Sequence, residues 1–369
     1  MRIFLTILTI VGLSVPAGAG ERARDLGWAP GFMPPGPLNA ITDVPGVQVG
    51  HVTLIDRAKH MQTGVTAILP HGGNLYQNKV PAGFEQGNGY GKMMGTTQVI
   101  ELGEIETPII LTNTLNVAEG AAATIEWTLA QAGNEKVRSV NALVGETNDG
   151  YLNDIRARFV TKESVRTAIE GAKTGAVAEG NIGAGAGTIA FGFKGGIGTS
   201  SRITEQGFTL GVLVQANYGG DLHIMGEPVG RRLVDIEAQK TGPDGSVMII
   251  IATDAPVTDR NLKRLAKRSL LGIGRTGGIM SNGSGDYALA FSTADSVRRT
   301  PERRKGPTSI TAFSNRQMTP LFAAVIEATE EAVYNALVSA ETVKPVKGRT
   351  VKALPVETVQ GILEGSVNR

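Results

Sequence analysis

Gly245-Ser-Val-Met-Ile-Ile-Ile-Ala252 places one serine between the turn-like Thr241-Gly-Pro-Asp244 and an apolar run, Val247 to Ala252. Six consecutive apolar residues bounded by a turn signal read as a buried strand. A serine at the head of such a strand, with a second serine downstream in Asn282-Gly-Ser-Gly-Asp286, suggests a precursor that cuts itself to expose a nucleophile. The commoner hydrolase signatures are missing. Neither Gly-x-Ser-x-Gly nor His-Glu-x-x-His occurs in the 369 residues, which removes the usual serine-hydrolase elbow and the usual zinc-protease helix.

Outward from this run, strands are expected at residues 47–54, 65–69, 108–112, 208–215, 247–252 and 288–292. Helices are expected at 117–132, 164–172, 258–271 and 319–338, with Thr258 as an N-cap. Short strands alternating with amphipathic helices, with no linker rich in proline or serine, predict one layered α/β or α+β domain. No fixed-period repeat is present, which argues against solenoids and propellers. Asn282-Gly283 is read as a hairpin turn with both residues at positive φ. Ser284 and Asp286, two apart at the start of the following strand, then share one face.

Arg2, the apolar stretch 3–15 and Ala17-Gly-Ala19 form the pattern of an export signal, so the mature chain is expected to start at Gly20 in the periplasm or outside the cell. The apolar stretch is shorter than the roughly 20 residues a membrane helix needs. The chain has 0 cysteines, so stability falls to an apolar core and thiolate chemistry is excluded. Net charge is +2, which makes no electrostatic case for nucleic acid or an anionic membrane as partner. The basic runs Arg298-Arg299 and Arg303-Arg304-Lys305 are read as a solvated loop or a subunit contact. His51, His60, His71 and His223 lack ligand spacing, so neither a metal nor another cofactor is expected. Glycine, at 49 residues against a usual share of about 7%, is dispersed among apolar segments and is read as tight turns and close backbone approaches. Asn181-Ile-Gly-Ala-Gly-Ala-Gly187 lacks the Gly-x-Gly-x-x-Gly spacing of a dinucleotide loop and is read instead as a place where backbone approaches substrate.

Five segments together resemble the L-aminopeptidase D-amidase/esterase family, which includes the β-peptidyl aminopeptidases. They are Ile41-Thr-Asp-Val-Pro-Gly-Val-Gln-Val-Gly-His51, Gly145-Glu-Thr-Asn-Asp-Gly-Tyr-Leu-Asn153, Leu213-Val-Gln-Ala-Asn-Tyr-Gly-Gly220, the stretch from Gly245 to Pro256, and Ser281-Asn-Gly-Ser-Gly-Asp286. The resemblance implies a four-layer αββα sandwich, layered like the N-terminal-nucleophile hydrolases with altered connectivity, as in the ornithine acetyltransferases. It implies self-cleavage between Gly245 and Ser246, giving segments 20–245 and 246–369 that stay together in one catalytic unit. Homo-oligomers of such units are common in the family.

Carried onto this chain, the resemblance implies Ser246 as nucleophile. A serine hydroxyl needs a base, and a freed α-amine with a pKa of about 7.7–8.0 can serve. Ser284 and Asp286 fall at positions that hydrogen-bond around the nucleophile, where the family commonly carries glutamate in place of the aspartate; the shorter side chain keeps the charge. Asn217 matches the side-chain donor to the oxyanion. Glu146 is expected to take the substrate's ammonium by charge-assisted hydrogen bonding, with Tyr151 as an orienting or oxyanion-side hydroxyl. Asn113 and Asn116 are expected to line the cleft. The leading reading is a self-processing aminopeptidase acting on short peptides, amides or esters, with β- or D-amino-acid residues within its range. An amine acyltransferase, or a binding protein that kept the fold, stays open at this point.

Overall fold

The apolar run after Ser246 lies between two layers of side chains, which is why every position of it is apolar. A computed structural model describes residues 21–233, 245–344 and 350–367; the export signal, its expected cleavage point and the Thr241–Asp244 turn lie outside them. In chain order the elements are β1 (Gln48–Asp56), β2 (Met61–Leu69), β3 (Val80–Gly89), β4 (Met93–Met94), α1 (Thr96–Leu102), β5 (Glu104–Ile105), β6 (Ile109–Asn113), α2 (Val117–Leu129) and β7 (Leu143–Thr147). There follow α3 (Lys162–Glu170), β8 (Ile189–Ala190), β9 (Phe193–Lys194), β10 (Gly196–Ile203), β11 (Thr209–Asn217) and α4 (Val229–Arg232). The chain ends with β12 (Ser246–Thr253), α5 (Asp259–Arg275), β13 (Gly285–Ser292), α6 (Thr319–Val338) and α7 (Val356–Val367).

Two mixed sheets form, in the orders β1-β2-β6-β7-β4 and β10-β11-β12-β13-β3-β5. Each holds one parallel pair joined through a helix, β6–α2–β7 and β12–α5–β13. A parallel neighbour cannot be reached by a tight turn, so the crossover helix must pack on the sheet face. Three apolar layers result. Ile68, Ile109 and Leu143 meet Leu213, Met248 and Leu289 between the sheets. Val247, Ile249 and Ile251 meet Leu262, Leu265 and Val325 under α5 and α6. Val65, Ile110 and Val144 meet Ala121, Val165 and Ile169 under α2 and α3. The architecture is therefore an α+β αββα sandwich, and alternate residues of β12 belong to different layers.

Several expectations need correction. Asn282-Gly283 does form a turn, closed by Ser284 N–H to Ser281 O at 3.0 Å, but β13 after it runs parallel to β12, so no hairpin exists. Neither residue is at positive φ. Thr258 is the N-cap of α5, yet its hydroxyl makes no capping bond. Strands β3, β7 and β10 and helices α1 and α7 were not expected. The glycine-rich 181–187 segment packs inside the molecule, and Gly183 and Ala184 donate their N–H groups to Thr53 and Thr66 at 2.8 and 3.1 Å. Those two donors are therefore committed to side chains of β1 and β2, not to a substrate. Two arginines of the basic runs are tied to loop carbonyls: Arg303 donates to Arg298 O in its own loop at 2.9 Å, and Arg304 to Gln77 O in the loop between β2 and β3 at 3.0 Å.

The N-terminal residues are fastened to α6 by a buried ionic group. Arg202 and Glu331 are fully buried 2.8 Å apart, and Arg24 reaches the same carboxylate at 2.8 Å. Removing one partner of a buried pair leaves the other charge uncompensated, at a cost of about 3–5 kcal/mol. Glu331→Ala is therefore expected to lower unfolding free energy by about 3 kcal/mol or more in urea titration; a loss below about 1 kcal/mol would contradict this account of the anchor.

Candidate active site

Strand pairing assembles the site at the open end of the middle layer. Ser246 is the first residue of β12, opposite Asn217 at the end of β11 and Gly285 at the start of β13. Alternation turns Ser246, with Met248 and Ile250, toward the space between the sheets, and Asn217 shares that face with Leu213. Directly opposed residues on one face of an antiparallel pair stand about 4.5–5.5 Å apart at Cβ, so the hydroxyl and the amide are neighbours. Gly245 packs so closely on β11 that a Cβ there would lie 2.3 Å from Asn217 O and 2.6 Å from Tyr218 Cα. Close approach therefore demands glycine before the serine.

The Gly285 N–H faces both reacting positions of the expected cut. It lies 3.2 Å from Ser246 Oγ and 3.2 Å from the carbonyl oxygen of Gly245. Ser284 donates to Asp286, with Ser281 O a second acceptor at 2.8 Å. Asp286 lies on the opposite face of the sheet from the Ser246 side chain, in line with Ala288 and Ala290 of the helix-side layer, and accepts a hydrogen bond from the backbone of Val247. Burial pushes its carboxyl from the ordinary 3.8 up to about 6, against the lowering effects of Ser284 and Val247. The Ser284–Asp286 pair thus addresses the backbone beside Ser246.

Glu146 reaches the site from the other sheet. It sits on β7, 2% exposed, and the neighbouring Gly145 packs against Met248 of β12. Its carboxylate accepts from the Lys92 backbone N–H at 3.0 Å, from Lys92 Nζ at 3.4 Å and from the Thr114 hydroxyl. Gly91 lies between Glu146 and the start of β13: a Cβ there would lie 3.0 Å from Gly285 Cα, 3.3 Å from Glu146 Oε1 and 3.3 Å from Tyr287. A cavity of about 480 Å³ opens here, lined by Phe84, Met93, Met94, Val117 and Tyr287, with Lys92 among its lining residues.

The remaining expected residues are placed differently. Tyr151 is 45% exposed on the loop whose Asn148 carbonyl accepts from Asn217 at 3.2 Å. Asn113 is buried, donating to Thr63 at 2.9 Å and accepting from Leu115 N–H at 3.1 Å. Asn116 is fully buried and donates to Val160 O at 2.9 Å. Both asparagines are held at the turn after β6, and neither is among the residues that line this cavity. Sequence reading missed Lys92, Thr114, Gly91 and Gly285. The one available signal was Gly-Tyr-Gly-Lys92, whose paired glycines mark a close backbone approach. Among the described residues no group of three or more His, Asp or Glu is arranged to hold a metal ion.

A model of peptidase family S58 matches residues 39–351. The chain belongs to that family. It is 41% identical to the beta-peptidyl aminopeptidase BapA of Sphingosinicella microcystinivorans, over 98% of this chain and 97% of the relative. A beta-aminopeptidase of Burkholderia sp. superposes with a TM-score of 0.86 at 39% identity, covering 94% of this chain and 99% of the other. The L-aminopeptidase D-Ala-esterase/amidase of Ochrobactrum anthropi, described as a prototype of the serine aminopeptidases and a variant of the Ntn hydrolase fold, gives 0.87 at 38% identity, covering 94% and 98%. Of the three readings left open by the sequence, membership selects the aminopeptidase.

Asp286 carries a stability consequence whose sign follows from its raised carboxyl. With the folded value near 6 and the unfolded value near 3.8, the native state holds the extra proton between them, so this group's contribution falls as pH rises through that window and is flat above it. Asp286→Asn, compared with its parent in a Ser246→Ala background that rules out any cut made by that hydroxyl, is expected to gain stability relative to its parent from pH 4 to pH 7 by urea titration. A difference that does not change with pH would contradict the assignment.

Proposed function

We propose that this aminopeptidase is exported, cuts itself between Gly245 and Ser246, and then uses Ser246 as an amino-terminal nucleophile. The observation that carries the reading is the single Gly285 N–H facing both Ser246 Oγ and the Gly245 carbonyl. In the cut, Ser246 Oγ attacks the Gly245 carbonyl carbon and the Gly285 N–H receives the developing oxyanion. The C–N bond breaks, the proton from the hydroxyl ends on the departing amine, and water hydrolyses the resulting ester. The freed amine is then the base beside its own hydroxyl. Asp286, acting from the backbone side with Ser284, compensates the charge when that amine is protonated.

On substrate, Oγ attacks the carbonyl of the first residue, and the second N–H of the Asn217 amide joins Gly285 as oxyanion donor. The ammonium returns its proton to the leaving amine, and water resolves the acyl-enzyme. Glu146 takes the substrate's own ammonium. Two of its donors, the Lys92 backbone and Thr114, are fixed, whereas Lys92 Nζ sits on a side chain 53% exposed and is the one that substrate displaces. The adjoining cavity favours an apolar side chain on the first residue. Relatives named for β-amino-acid residues support a range that includes them alongside α-residues. The apolar stretch 3–15 with Ala17-Gly-Ala19 supports removal of residues 1–19 and a periplasmic or secreted enzyme. We also propose a homo-oligomer of processed units.

Two substitutions test these roles. Ser246→Ala should reduce hydrolysis of aminoacyl amides to background, and a variant that retains turnover would remove Ser246 from the chemistry. Glu146→Gln should raise KM by at least about tenfold, the loss of one charge-assisted bond, with little change for N-acetylated esters; equal effects on both substrates would argue against ammonium recognition.

A further inference from the structure

Two ionisable side chains are buried beside the site without a part in the chemistry above. Asp149, 2% exposed, accepts from Thr63 Oγ1 at 2.5 Å and Asn153 Nδ2 at 3.0 Å. Its backbone carbonyl closes the turn by accepting from Leu152 and Asn153 N–H at 3.1 and 3.0 Å. Lys194 is fully buried and donates to the carbonyls of Gly185 and Gly195 at 2.8 and 2.7 Å. Gly195 N–H in turn binds Thr188 O at 3.1 Å, and Thr188 Oγ1 binds Gly185 O at 3.0 Å. Burial lowers Lys194 to about 7, and the charge of Asp149 opposes the shift. Burial raises Asp149 to about 6 against its hydrogen bonds.

Each of these two anchored loops places its adjoining residue on Asn217. Asn148, before Asp149, offers its carbonyl to Asn217 Nδ2 at 3.2 Å. Ile189, after the Gly185–Thr188 turn, donates its N–H to Asn217 Oδ1 at 2.9 Å. The two ends of a side-chain amide are nearly the same shape, so its orientation is set by the donors and acceptors around it. A flipped Asn217 would oppose oxygen to oxygen at Asn148 and N–H to N–H at Ile189. One jaw alone could shift to relieve such a mismatch; two anchored jaws leave no place to go.

We propose that Asp149 and Lys194 are positioning residues that lock the Asn217 amide with its nitrogen toward the reacting carbonyl. The inference rests on Asn217 serving as oxyanion donor, and the test separates the two. Processed Asn217→Ala, Asp149→Asn, Lys194→Met and the double variant Asp149→Asn/Asn217→Ala are compared on an aminoacyl p-nitroanilide. Asn217→Ala should lower kcat by about 10²–10³. Asp149→Asn and Lys194→Met should each lower kcat by about tenfold with KM within about twofold, because an oxyanion contact is made in the transition state. The double variant should be no slower than Asn217→Ala. Should Lys194→Met not fold, Thr188→Val, which removes the hydroxyl that shares the Gly185 carbonyl with Lys194, takes its place and should give the same split. Wild-type kcat in the single variants, or losses that multiply with Asn217→Ala, would overturn the lock while leaving the donor in place. Wild-type kcat in Asn217→Ala would overturn the donor assignment and the lock with it.

Discussion

Ser246 opens a strand that is laddered on both sides, against Asn217 through an antiparallel register and Gly285 through a parallel one. Those two pairings set the side-chain face, the neighbouring amide and the single N–H that faces both the hydroxyl and the preceding carbonyl. A slip of one residue in either ladder would turn the serine to the helix side of the sheet. The six-residue apolar run prevents that slip, because Met248 and Ile250 fit the middle layer while Ile249 and Ile251 fit the layer under α5 and α6. Core packing and the placement of Ser246 are thus one constraint.

The same packing explains why charges are tolerated at this end of the molecule. Glu146 is desolvated but surrounded by a backbone N–H, a hydroxyl and an ammonium. Asp286 has fewer partners and a correspondingly raised carboxyl. Lys194 and Asp149 are buried as well, and each is tied to a loop that touches Asn217. Buried polar groups of this kind persist when satisfied and fix one arrangement of neighbouring loops. The cleft therefore takes its precision from both sheets: Ser246 and Asn217 from one, Glu146 from the other.

Much of this was legible in the residues. A strand buried on both faces writes an unbroken apolar run, so β12 was readable, and the apolar recurrence along 319–338 gave the bounds of α6, Thr319–Val338. Strand β3 was not, because Pro81, Gly83, Gly87 and Gly89 erase the β signal. A Cβ at Gly83 would lie 2.0 Å from Lys263 N in α5, so the residue that hides the strand is the one that lets a helix lie on it. β10 carries Thr199, Ser200, Ser201 and Arg202, polar residues whose partners on β11, on α6 and in the N-terminal segment are distant in sequence. The Asn282-Gly283 dipeptide misled because its local hairpin preference yields to a crossover through α5. In the site, Ser246, Ser284, Asp286, Asn217 and Glu146 carried a family pattern, whereas Lys92 was marked only by the paired glycines before it and Lys194 by nothing local.

The central claim is that the Gly245–Ser246 bond is broken and that Ser246 then begins its own chain. Determining the amino termini of the purified, active protein by mass spectrometry tests this most directly. The account predicts two polypeptides in equal amounts, one starting at Ser246. A single polypeptide continuous through Gly245–Ser246, in a preparation that still hydrolyses amino-acid amides, would contradict it.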